Sequence, residues 1–335
     1  MGIRIGDIEV VAPVFLAPMS GVTDLSFRKI VRKQGPELVF SEMIASREFL
    51  KTESLSVREF NTNFVEDYPL AVQLAGWDPE DMALAAKINE DRGATFIDIN
   101  MGCPAKKVVK RYAGSALMQD LNLAKKIIQS VIKAVNVPVT LKMRTGWNLD
   151  HRNAPELALI AEREGVQMIT VHGRTRCQLY KGVADWPFIA QVKGAVKIPV
   201  IANGDIRTIY DAKECLELSK ADGVMIGRGS YGRPWFLNQI TKFLETGKIQ
   251  EAPSLDEQKL VLIEHLDYML THYGFQDGAK LARKHIAWYT KGLPSSGEAR
   301  QKIFATNSLS ALITEVNDLY SIATENTLII DVRET

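Results

Sequence analysis

The chain is poor in cysteine, has no long apolar segment and carries almost no net charge. Its three cysteines, Cys103, Cys177 and Cys215, lie far apart and form no C-x-x-C pair, which argues against a disulfide framework or a zinc site. No apolar run is long enough for a membrane-spanning helix, and residues 1–11 contain no apolar signal core. We therefore expect a cytoplasmic protein without a metal, a membrane or an obligate protein partner, and a monomer as the default state.

The composition is that of an ordinary globular protein with a large hydrophobic core. Of the 335 residues, 46% are hydrophobic and 24% are charged, a balance typical of folded soluble chains. The formal net charge is only +1. A nucleic-acid-binding protein with so little net charge must concentrate its basic residues on one part of its surface.

Eight short apolar runs predict the strands of a barrel. They are continuous and rich in Val and Ile, which is typical of buried parallel strands. Eight strand–helix units over about 230 residues is the count of an α/β fold of the (β/α)8 TIM-barrel type. An open doubly wound sheet is the alternative, but no G-x-G-x-x-G motif follows the first run. The runs cover residues 14–19, 38–43, 70–76, 96–103, 139–144, 168–174, 200–205 and 223–228.

Several gaps between these runs carry helix signals. Residues 78–92 begin with Asp78 as a helix cap and Pro79 at the first helical position, and they end at Gly93. Residues 121–135 and 154–164 also show helical spacing, and Gly165 ends the second of these segments. The alternation of strand and helix therefore favours the barrel.

A different pattern begins near residue 245. Residues 246–253 are polar and are typical of a linker, and Ser254 with Glu257 forms the pattern of a helix capping box. Further helical spacing covers residues 278–291, 296–306 and 308–323. We expect a barrel domain over residues 1–245, a small all-α helical bundle over residues 246–323, and a tail over residues 324–335 without a clear role.

Polar residues follow nearly every predicted strand end, which is where barrel enzymes bind their ligands. Buried polar side chains are costly without partners, so a polar ligand at this end is the simplest explanation. Glycine-rich loops at 203–205 and 227–229 follow the last two strands. Their backbone N–H groups, with Arg228, suit a phosphate. Glycine-rich turns are common, so these loops alone do not identify the ligand.

Short motifs at these strand ends resemble a known enzyme family. In their combination and order, they make the chain similar to the tRNA-dihydrouridine synthases, in particular the bacterial DusB-like branch, over residues 10–245. The motifs are A-P-M-S-G-V-T-D (17–24), S-E-M (41–43), V-Q-L-A-G (72–76), D-I-N-M-G-C-P-A-K-K (98–107), L-K-M-R-T-G-W (141–147), V-H-G-R-T-R (171–176), I-A-N-G-D-I (201–206) and M-I-G-R-G (225–229).

The resemblance implies a bound FMN at the strand ends. An amide such as Gln73 suits the pyrimidine edge of the flavin ring, and a cation such as Lys142 stabilises the reduced ring. Structural alternatives remain, since Lys142 can also pair with a core carboxylate and a lone histidine is often structural. Many relatives have Ala at position 20, which leaves a backbone contact unaffected. By resemblance, the FMN-binding residues are Pro18, Met19, Ser20, Gln73, Lys142, His172, Asn203, Gly204, Asp205, Gly227 and Arg228.

Cys103 is the predicted catalytic residue. By resemblance, NADPH reduces FMN, the flavin gives a hydride to C6 of a uridine in tRNA, and the cysteine gives a proton to C5, forming 5,6-dihydrouridine. A thiol is mostly protonated at neutral pH and is a suitable general acid. The alternative is that Cys103 is merely a small apolar side chain at a strand end. Asn100 is predicted to contact the uracil or flavin, and Arg144 the substrate.

Two basic clusters are predicted to bind tRNA, whose target uridine must be extracted into a pocket. The first comprises Lys106, Lys107, Lys110 and Arg111. The second comprises Lys280, Arg283, Lys284, Lys291, Arg300 and Lys302. Within the second cluster, Arg283, Lys284 and Lys291 are predicted to share one helical face; the alternative is an ordinary solvated face. The resemblance implies that the helical domain grips tRNA and that the D-loop region is modified.

Two other functions remain open from the sequence. The first is an FMN barrel that reduces a small molecule such as a free pyrimidine, which would not need the basic helical domain. The second is an RNA-binding protein on a barrel scaffold that has lost catalysis. Cys103, Lys142 and the two glycine-rich loops argue against the loss of catalysis.

Overall fold

Parallel strands form a nearly closed barrel in the computed structural model, which describes residues 2–36, 38–51, 68–306 and 308–333, with side chains up to residue 325 in the last segment. The described strands are β1 (Ile3–Ile5), β2 (Ile8–Val10), β3 (Val14–Leu16), β4 (Val39–Phe40), β5 (Ile44–Ala45), β6 (Leu70–Ala75), β7 (Phe96–Met101), β8 (Val139–Arg144), β9 (Met168–His172), β10 (Val200–Asn203) and β11 (Gly223–Ile226). The barrel strands follow the order β3-β11-β10-β9-β8-β7-β6-β4, and β5 also pairs with β6, while β1 and β2 form a separate hairpin.

The predicted TIM barrel is confirmed, with one strand divided. The run predicted over residues 38–43 is two short strands, β4 and β5, which both pair in parallel with β6. No described ladder joins β3 to β4, and the rings of Phe15 and Phe40 pack edge-to-face there with 5.9 Å between centroids. Side-chain packing therefore closes the barrel at this seam.

Helices cover the outside of the barrel and continue beyond it. The predicted cap at Asp78 is confirmed, since its carboxylate accepts from two backbone N–H groups of the first turn, and Gly165 ends its helix in the left-handed conformation. The helices are α1 (Leu25–Lys33), α2 (Ser46–Lys51), α3 (Pro79–Asp91), α4 (Lys106–Val109), α5 (Leu121–Ala134), α6 (Ala154–Glu164), α7 (Trp186–Ala195), α8 (Ile209–Ser219), α9 (Phe236–Thr246), α10 (Leu255–Tyr273), α11 (Phe275–Tyr289), α12 (Ser296–Ala305) and α13 (Leu309–Arg333).

Along each barrel strand, side chains that face the surrounding helices alternate with side chains that face the barrel interior, and the two sets differ in polarity, although the sequence suggested continuous apolar runs. Residues that face the helices are apolar and belong to the main core. Inward-facing residues are apolar near the N-terminal ends of the strands, where they pack with the β1–β2 hairpin. Towards the C-terminal ends, the buried inward positions are polar, as at Gln73, Asp98, Asn100 and Asn203. The barrel is therefore closed at one end by a hydrophobic plug and polar at the other.

Helices α10 to α13 pack around a core of their own that includes Leu262, Met269, Ile286 and Leu319. The predicted capping box of Ser254 and Glu257 is confirmed at the start of α10. In this part of the chain, α13 continues to Arg333, so the helix predicted over 308–323 is too short. Residues 334–335 lie outside the described part. The division at residue 245 stays a prediction.

The helical bundle packs against α1 and the loop after β11. Phe27 of α1 contacts the rings of His265 and His285, with 5.4 and 5.5 Å between centroids. Trp288 of α11 stacks on Tyr231 at 4.0 Å. Because Tyr231 lies just beyond the barrel's C-terminal end, this contact brings α11 close to the polar end of the barrel. Within the described residues, no helix combines the length and the apolar character that crossing a membrane requires.

Two histidines are buried at this contact between bundle and barrel. Their rings pack edge-to-face with 4.6 Å between centroids. Neither ring nitrogen of His285 has a hydrogen-bond partner among the described residues. Burial lowers the pKa of His265 to about 4, opposed by Asp24 and assisted by Lys284. Burial, His265 and Lys284 together hold the pKa of His285 well below its ordinary value, so both rings are neutral at neutral pH.

We expect His285→Phe to raise the free energy of unfolding by about 1–3 kcal/mol at neutral pH, because it removes two buried polar atoms without partners. The gain should grow below about pH 6.5, since the unfolded chain of the parent binds a proton there that the folded chain does not. Urea unfolding at about pH 7.5 and about pH 5 measures both effects. His151→Phe, at an exposed position, is the control. A gain that is the same at both pH values would contradict the proton linkage.

Candidate active site

A cavity of about 720 Å³ opens at the C-terminal end of the barrel. Every residue predicted to bind FMN lines it, together with four predicted for catalysis or substrate. Lys107, Arg283, Lys284 and Lys291 are not among its lining residues. The predicted residues that line the cavity are Pro18, Met19, Ser20, Gln73, Asn100, Cys103, Lys106, Lys142, Arg144, His172, Asn203, Gly204, Asp205, Gly227 and Arg228.

The floor of the cavity is built from inward-facing side chains of neighbouring strands. Nζ of Lys142 on β8 donates to Oδ1 of Asn203 on β10 over 3.1 Å, and Asn203 donates to the carbonyl of Met225 on β11 over 2.7 Å. On the other side, Gln73 of β6 donates to the carboxylate of Asp98 on β7 over 2.6 Å. These bonds run between strands, so the floor is held in place by the barrel itself.

Burial and a pair of opposite charges determine the ionisation of this floor. Burial lowers the pKa of Lys142 to about 8, and the carboxylate of Asp98 opposes that shift. Burial also raises the pKa of Asp98 to about 6, although two hydrogen bonds and the charge of Lys142 favour its ionised form. At neutral pH, Lys142 is therefore mostly a cation and Asp98 mostly an anion.

The loop that carries Cys103 is held on both sides. Oδ1 of Asn100 accepts from the backbone N–H groups of Gly102 and Cys103, at 3.1 and 2.9 Å. The carbonyl of Cys103 accepts from the backbone N–H and the hydroxyl of Ser115, at 3.1 and 2.8 Å. Cys103 is half-buried and lines the cavity wall. Its backbone is therefore fixed while its side chain borders the cavity.

Two buried arginines tie the loop after β9, residues 173–185, to the loops beside it. Arg144 donates to the carbonyl of Gly102 and to two carbonyls of the 173–185 loop, at 2.8–2.9 Å. Arg174 donates to two other carbonyls of that loop and to the carboxylate of Asp205. The hydrogen bonds of Arg144 hold loops together, and its predicted contact with substrate stays a prediction.

The loops after β10 and β11 form one end of the cavity. Gly204 has a φ of +120°, and a Cβ there would lie 2.8 Å from Cδ2 of His172, so the backbone approaches closely because no side chain is present. The carboxylate of Asp205 forms ion pairs with the buried Arg174 and, at 3.4 Å, with Arg228. These arginines offset its negative charge beside the cavity.

His172 lies in a strongly cationic part of the cavity. Burial, with Arg144, Lys142, Arg174 and Arg228, lowers its pKa well below the ordinary value. The ring is therefore neutral at neutral pH, and it can donate one hydrogen bond and accept another without adding charge. The surrounding cations favour an anionic ligand.

The size, charge and donors of the cavity fit a flavin mononucleotide. Its volume lies in the range of about 300–1,000 Å³ that small-ligand sites occupy. Two glycine-containing loops and Arg228 at one end suit a phosphate. Lys142 and the amides of Gln73 and Asn100 at the floor suit a heterocycle with carbonyl and ring-nitrogen groups. The residues present are therefore compatible with the predicted cofactor.

The first basic cluster lies beside Cys103. Lys106 and Lys107 begin the short helix α4, and both are exposed. Arg111 forms an ion pair with Glu48, so part of its charge is neutralised by the protein. Lys106 lines the cavity and Lys107 follows it in α4, and their binding to RNA stays a prediction.

The prediction that Arg283, Lys284 and Lys291 share one helical face is wrong. Helix α11 ends two residues before Lys291. Arg283 donates to the carbonyl of Phe304 over 3.1 Å, whereas Lys284 bonds to the carbonyl of Gly21 in the loop after β3. Consecutive helical residues project about 100° apart, so neighbours in the chain meet different surroundings.

Three residues of this site were not identified from the sequence. Asp98 is fully buried under the cavity, Arg174 organises two of its loops, and the half-exposed ring of Tyr180 lies beneath Arg228 at 5.0 Å. Asp98 precedes Asn100 by two residues in a strand, so the two side chains face the same way. That spacing was a usable signal for Asp98. Arg174 ends the apolar run predicted over residues 168–174, which marked it as a polar strand-end residue but did not reveal its partners. Nothing in the sequence indicated the role of Tyr180.

Comparisons with known proteins show which family the chain resembles over most of its length. A family model described as dihydrouridine synthase matches residues 15–324. A protein named probable tRNA-dihydrouridine synthase from Rickettsia bellii is 52% identical over 319 residues, which cover 95% of this chain and 98% of that protein. One named tRNA-dihydrouridine synthase B from Xanthomonas axonopodis pv. citri is 44% identical over 318 residues, covering 95% of each chain.

Solved structures add support for the fold alone. Histamine dehydrogenase from Rhizobium sp. 4-9 is similar with a TM-score of 0.53 and 13% identity, over 79% of this chain and 50% of that one. The family resemblance read from the strand-end motifs is confirmed by the long matches at high identity, which include most of the helical bundle as well as the barrel. The chain therefore belongs to the dihydrouridine synthase family.

Proposed function

We propose that this protein is an oxidoreductase that uses FMN and NADPH to reduce the C5–C6 double bond of specific uridines in tRNA to 5,6-dihydrouridine. One observation carries the proposal: the cationic cavity at the C-terminal end of the barrel has the size of a flavin and has Cys103 in its wall. Family membership and the names of the relatives support tRNA as the substrate.

FMN is proposed to lie across the floor of the cavity. Gly204, Gly227 and Arg228 would hold its phosphate, Gln73 the pyrimidine edge of its ring, and Lys142 the charge of the reduced form. The remaining contacts would come from Pro18, Met19, Ser20, His172, Asn203 and Asp205. A reduced flavin held there would supply the hydride for C6 of the uracil.

Cys103 is proposed to supply the proton that C5 then needs. Its half-buried position in the cavity wall suits a general acid, which must lie within hydrogen-bond reach of the atom it protonates. Asn100 holds the backbone of this residue through Oδ1 and is proposed to face the uracil or flavin. Arg144 fixes the same loop through the carbonyl of Gly102.

Transfer RNA is proposed to approach across the cavity mouth and the helical bundle. Lys106 lines the cavity and Lys107 follows it in α4, while Arg283 and Lys291 are exposed on the bundle. These cations suit the phosphates of an RNA whose target base has been extracted. Lys284 reaches the loop after β3 and would link the bundle to the cavity. We propose the D-loop region as the site of reduction, a monomer as the active state and the cytoplasm as the location.

The activity is tested by incubating the FMN-loaded protein with NADPH and unmodified tRNA, then digesting the RNA for mass spectrometry. Uridine carrying two extra hydrogens, at one or a few positions in the D-loop, is the expected product. A parallel reaction with free uracil and uridine should give none. Reduction of the free pyrimidine with no change in tRNA would overturn the proposal in favour of a small-molecule enzyme.

We expect the double variant Arg283→Glu with Lys291→Glu to weaken tRNA binding by about 10-fold or more at low salt, because phosphate contacts are lost and repulsion is added. The slope of affinity against salt should also become shallower. Filter binding over a salt series measures both, and FMN binding should be unchanged. The matched control is Lys197→Glu with Lys220→Glu, which reverses two exposed charges shortly before β10 and β11, at the opposite end of the barrel. Equal losses in the two variants would refute a specific role for the bundle.

A further inference from the structure

A chain of hydrogen bonds under the cavity joins a buried carboxylate to the backbone of Cys103. Thr140 donates its hydroxyl to Oδ1 of Asp98, and Gln73 donates Nε2–H to Oδ2, both over 2.6 Å. Asn100 donates Nδ2–H to Oε1 of Gln73 over 2.7 Å. Oδ1 of Asn100 accepts the backbone N–H of Cys103 over 2.9 Å. The chain is therefore continuous from strand β8 to the loop after β7.

This network is sheltered from solvent. Asp98, Gln73 and Asn100 are exposed by 0%, 1% and 7%, so water cannot readily replace a lost partner. Unmade hydrogen bonds cost more here than at the surface. The orientation of each amide therefore matters to the stability of the whole chain of bonds.

The direction of every bond in the chain is determined from both ends. An ionised carboxylate only accepts, so Gln73 must turn its NH2 group towards Asp98 and its oxygen towards Asn100. A backbone N–H only donates, so Asn100 must turn its oxygen towards Cys103 and its NH2 group towards Gln73. Both orientations are satisfied at the bond between the two amides, where the NH2 group of Asn100 donates to the oxygen of Gln73.

We propose that Asp98 is a positioning residue, whose carboxylate holds the backbone of Cys103 through Gln73 and Asn100 by excluding the reversed orientation of both amides. Each amide uses one N–H of its NH2 group in the chain, so each keeps a second donor for a ligand in the cavity that both line. The catalytic role of Cys103 rests on the proposed function, whereas the ordering of its loop by Asp98 does not depend on that function.

Protonation of Asp98 at low pH should have the same effect on the cysteine loop as replacement of its carboxylate. Burial raises the pKa of Asp98 to about 6, and a protonated carboxyl group carries an O–H donor that no longer excludes the reversed amides. Lys142 on β8 is the charged group that faces Asp98, and its charge opposes this protonation. Gln73 and Thr140, the other groups in contact, do not titrate. Order in the cysteine loop should therefore fall as the pH passes below about 6.

The test uses the full chain without cofactor or RNA, so that it stands apart from the test of the proposed function. Alkylation of Cys103 by iodoacetamide is followed by peptide mass spectrometry, with the exposed Cys177 as reference in the same sample. In Asp98→Asn, the Cys103/Cys177 rate ratio should change by about 3–10-fold, which corresponds to roughly one hydrogen bond. Thr140→Val removes a partner of Asp98 but keeps the carboxylate, so its ratio should stay within about twofold of the parent.

A double variant tests the direction of the bonds. In Asp98→Asn with Gln73→Glu, the carboxylate moves to position 73, accepts from both neighbouring amides, and again requires Asn100 to turn its oxygen towards Cys103. The parent ratio should return. A parent-like ratio in Asp98→Asn alone, an equal change in Thr140→Val, or no return in the double variant would each overturn the proposal.

Hydrogen exchange of the parent protein tests the same proposal without any substitution, in case Asp98→Asn does not fold. Protection in the peptide spanning residues 101–106, corrected for intrinsic exchange, should fall between about pH 7 and about pH 5. Protection in peptides from α5 should not. Loop protection that is constant across this range would contradict the role of the carboxylate.

Discussion

Cys103→Ala should lower the single-turnover rate of tRNA reduction by about 10²–10⁴-fold, which is the usual contribution of a positioned general acid. In the proposed reaction, hydride arrival at C6 leaves negative charge at C5 and the adjoining carbonyl, and Cys103 is the only thiol among the described residues that line the cavity. FMN affinity and tRNA affinity should be unchanged, since the hydrogen bonds that hold this loop come from backbone atoms of residue 103.

The matched control is Cys177→Ala, which removes an exposed thiol from the neighbouring 173–185 loop. It should reduce tRNA at the rate of the parent. The rate of flavin reduction by NADPH, measured as the loss of flavin absorbance, should be equal in the parent, Cys103→Ala and Cys177→Ala, because this step precedes proton transfer to the uracil. A parent-like rate of tRNA reduction in Cys103→Ala would remove the cysteine from the proton-donor role.

Lys142→Met should weaken FMN binding by about 10–100-fold, because a charge-assisted hydrogen bond in a buried site contributes about 1.5–3 kcal/mol. Methionine keeps most of the length of the side chain, so the cavity keeps its shape. The binding is measured by quenching of flavin fluorescence on titration of the apoprotein. Lys193→Met, on the outer helix α7, is the control and should leave FMN affinity unchanged.

The pH dependence of FMN binding provides a second test of Lys142. Its pKa in the cofactor-free protein is lowered to about 8, so its charge is present below that pH and is lost above it. FMN affinity of the parent should therefore fall as the pH rises through about 8. In Lys142→Met, this part of the pH dependence should disappear. A profile with the same fall in both proteins would assign it to another group.

The barrel was predictable because its signals are local. Apolar runs, the caps at Asp78 and Ser254 and the stop at Gly165 each follow from a few neighbouring residues, and all are found in the structure. The division of the second strand into β4 and β5 was not predictable, because it depends on pairing with β6, whose residues lie far along the chain. The length of α13 was also misjudged from local spacing.

The cavity-lining residues were predictable for a different reason. Parallel strands of a barrel end at one rim, so polar residues such as Gln73, Lys142 and Asn203 had to meet once the strands were recognised. The family motifs then indicated which polar residues to choose. By contrast, the arrangement of Arg283, Lys284 and Lys291 was predicted wrongly, because the end of α11 and the contact with Gly21 depend on how the bundle packs against the barrel.

The sequence by itself determined the barrel, the helical bundle that follows it and the family. The reason is that apolar strand runs, helix caps and strand-end motifs each depend only on residues that are close together in the sequence. Only the tertiary structure decided what Asp98 and Arg174 do. Their hydrogen-bond partners come from other strands and loops. The pKa of Asp98 depends on its burial, which the neighbouring residues in the sequence do not reveal. The same holds for His265 and His285, which become a neutral buried pair only when the bundle packs on α1.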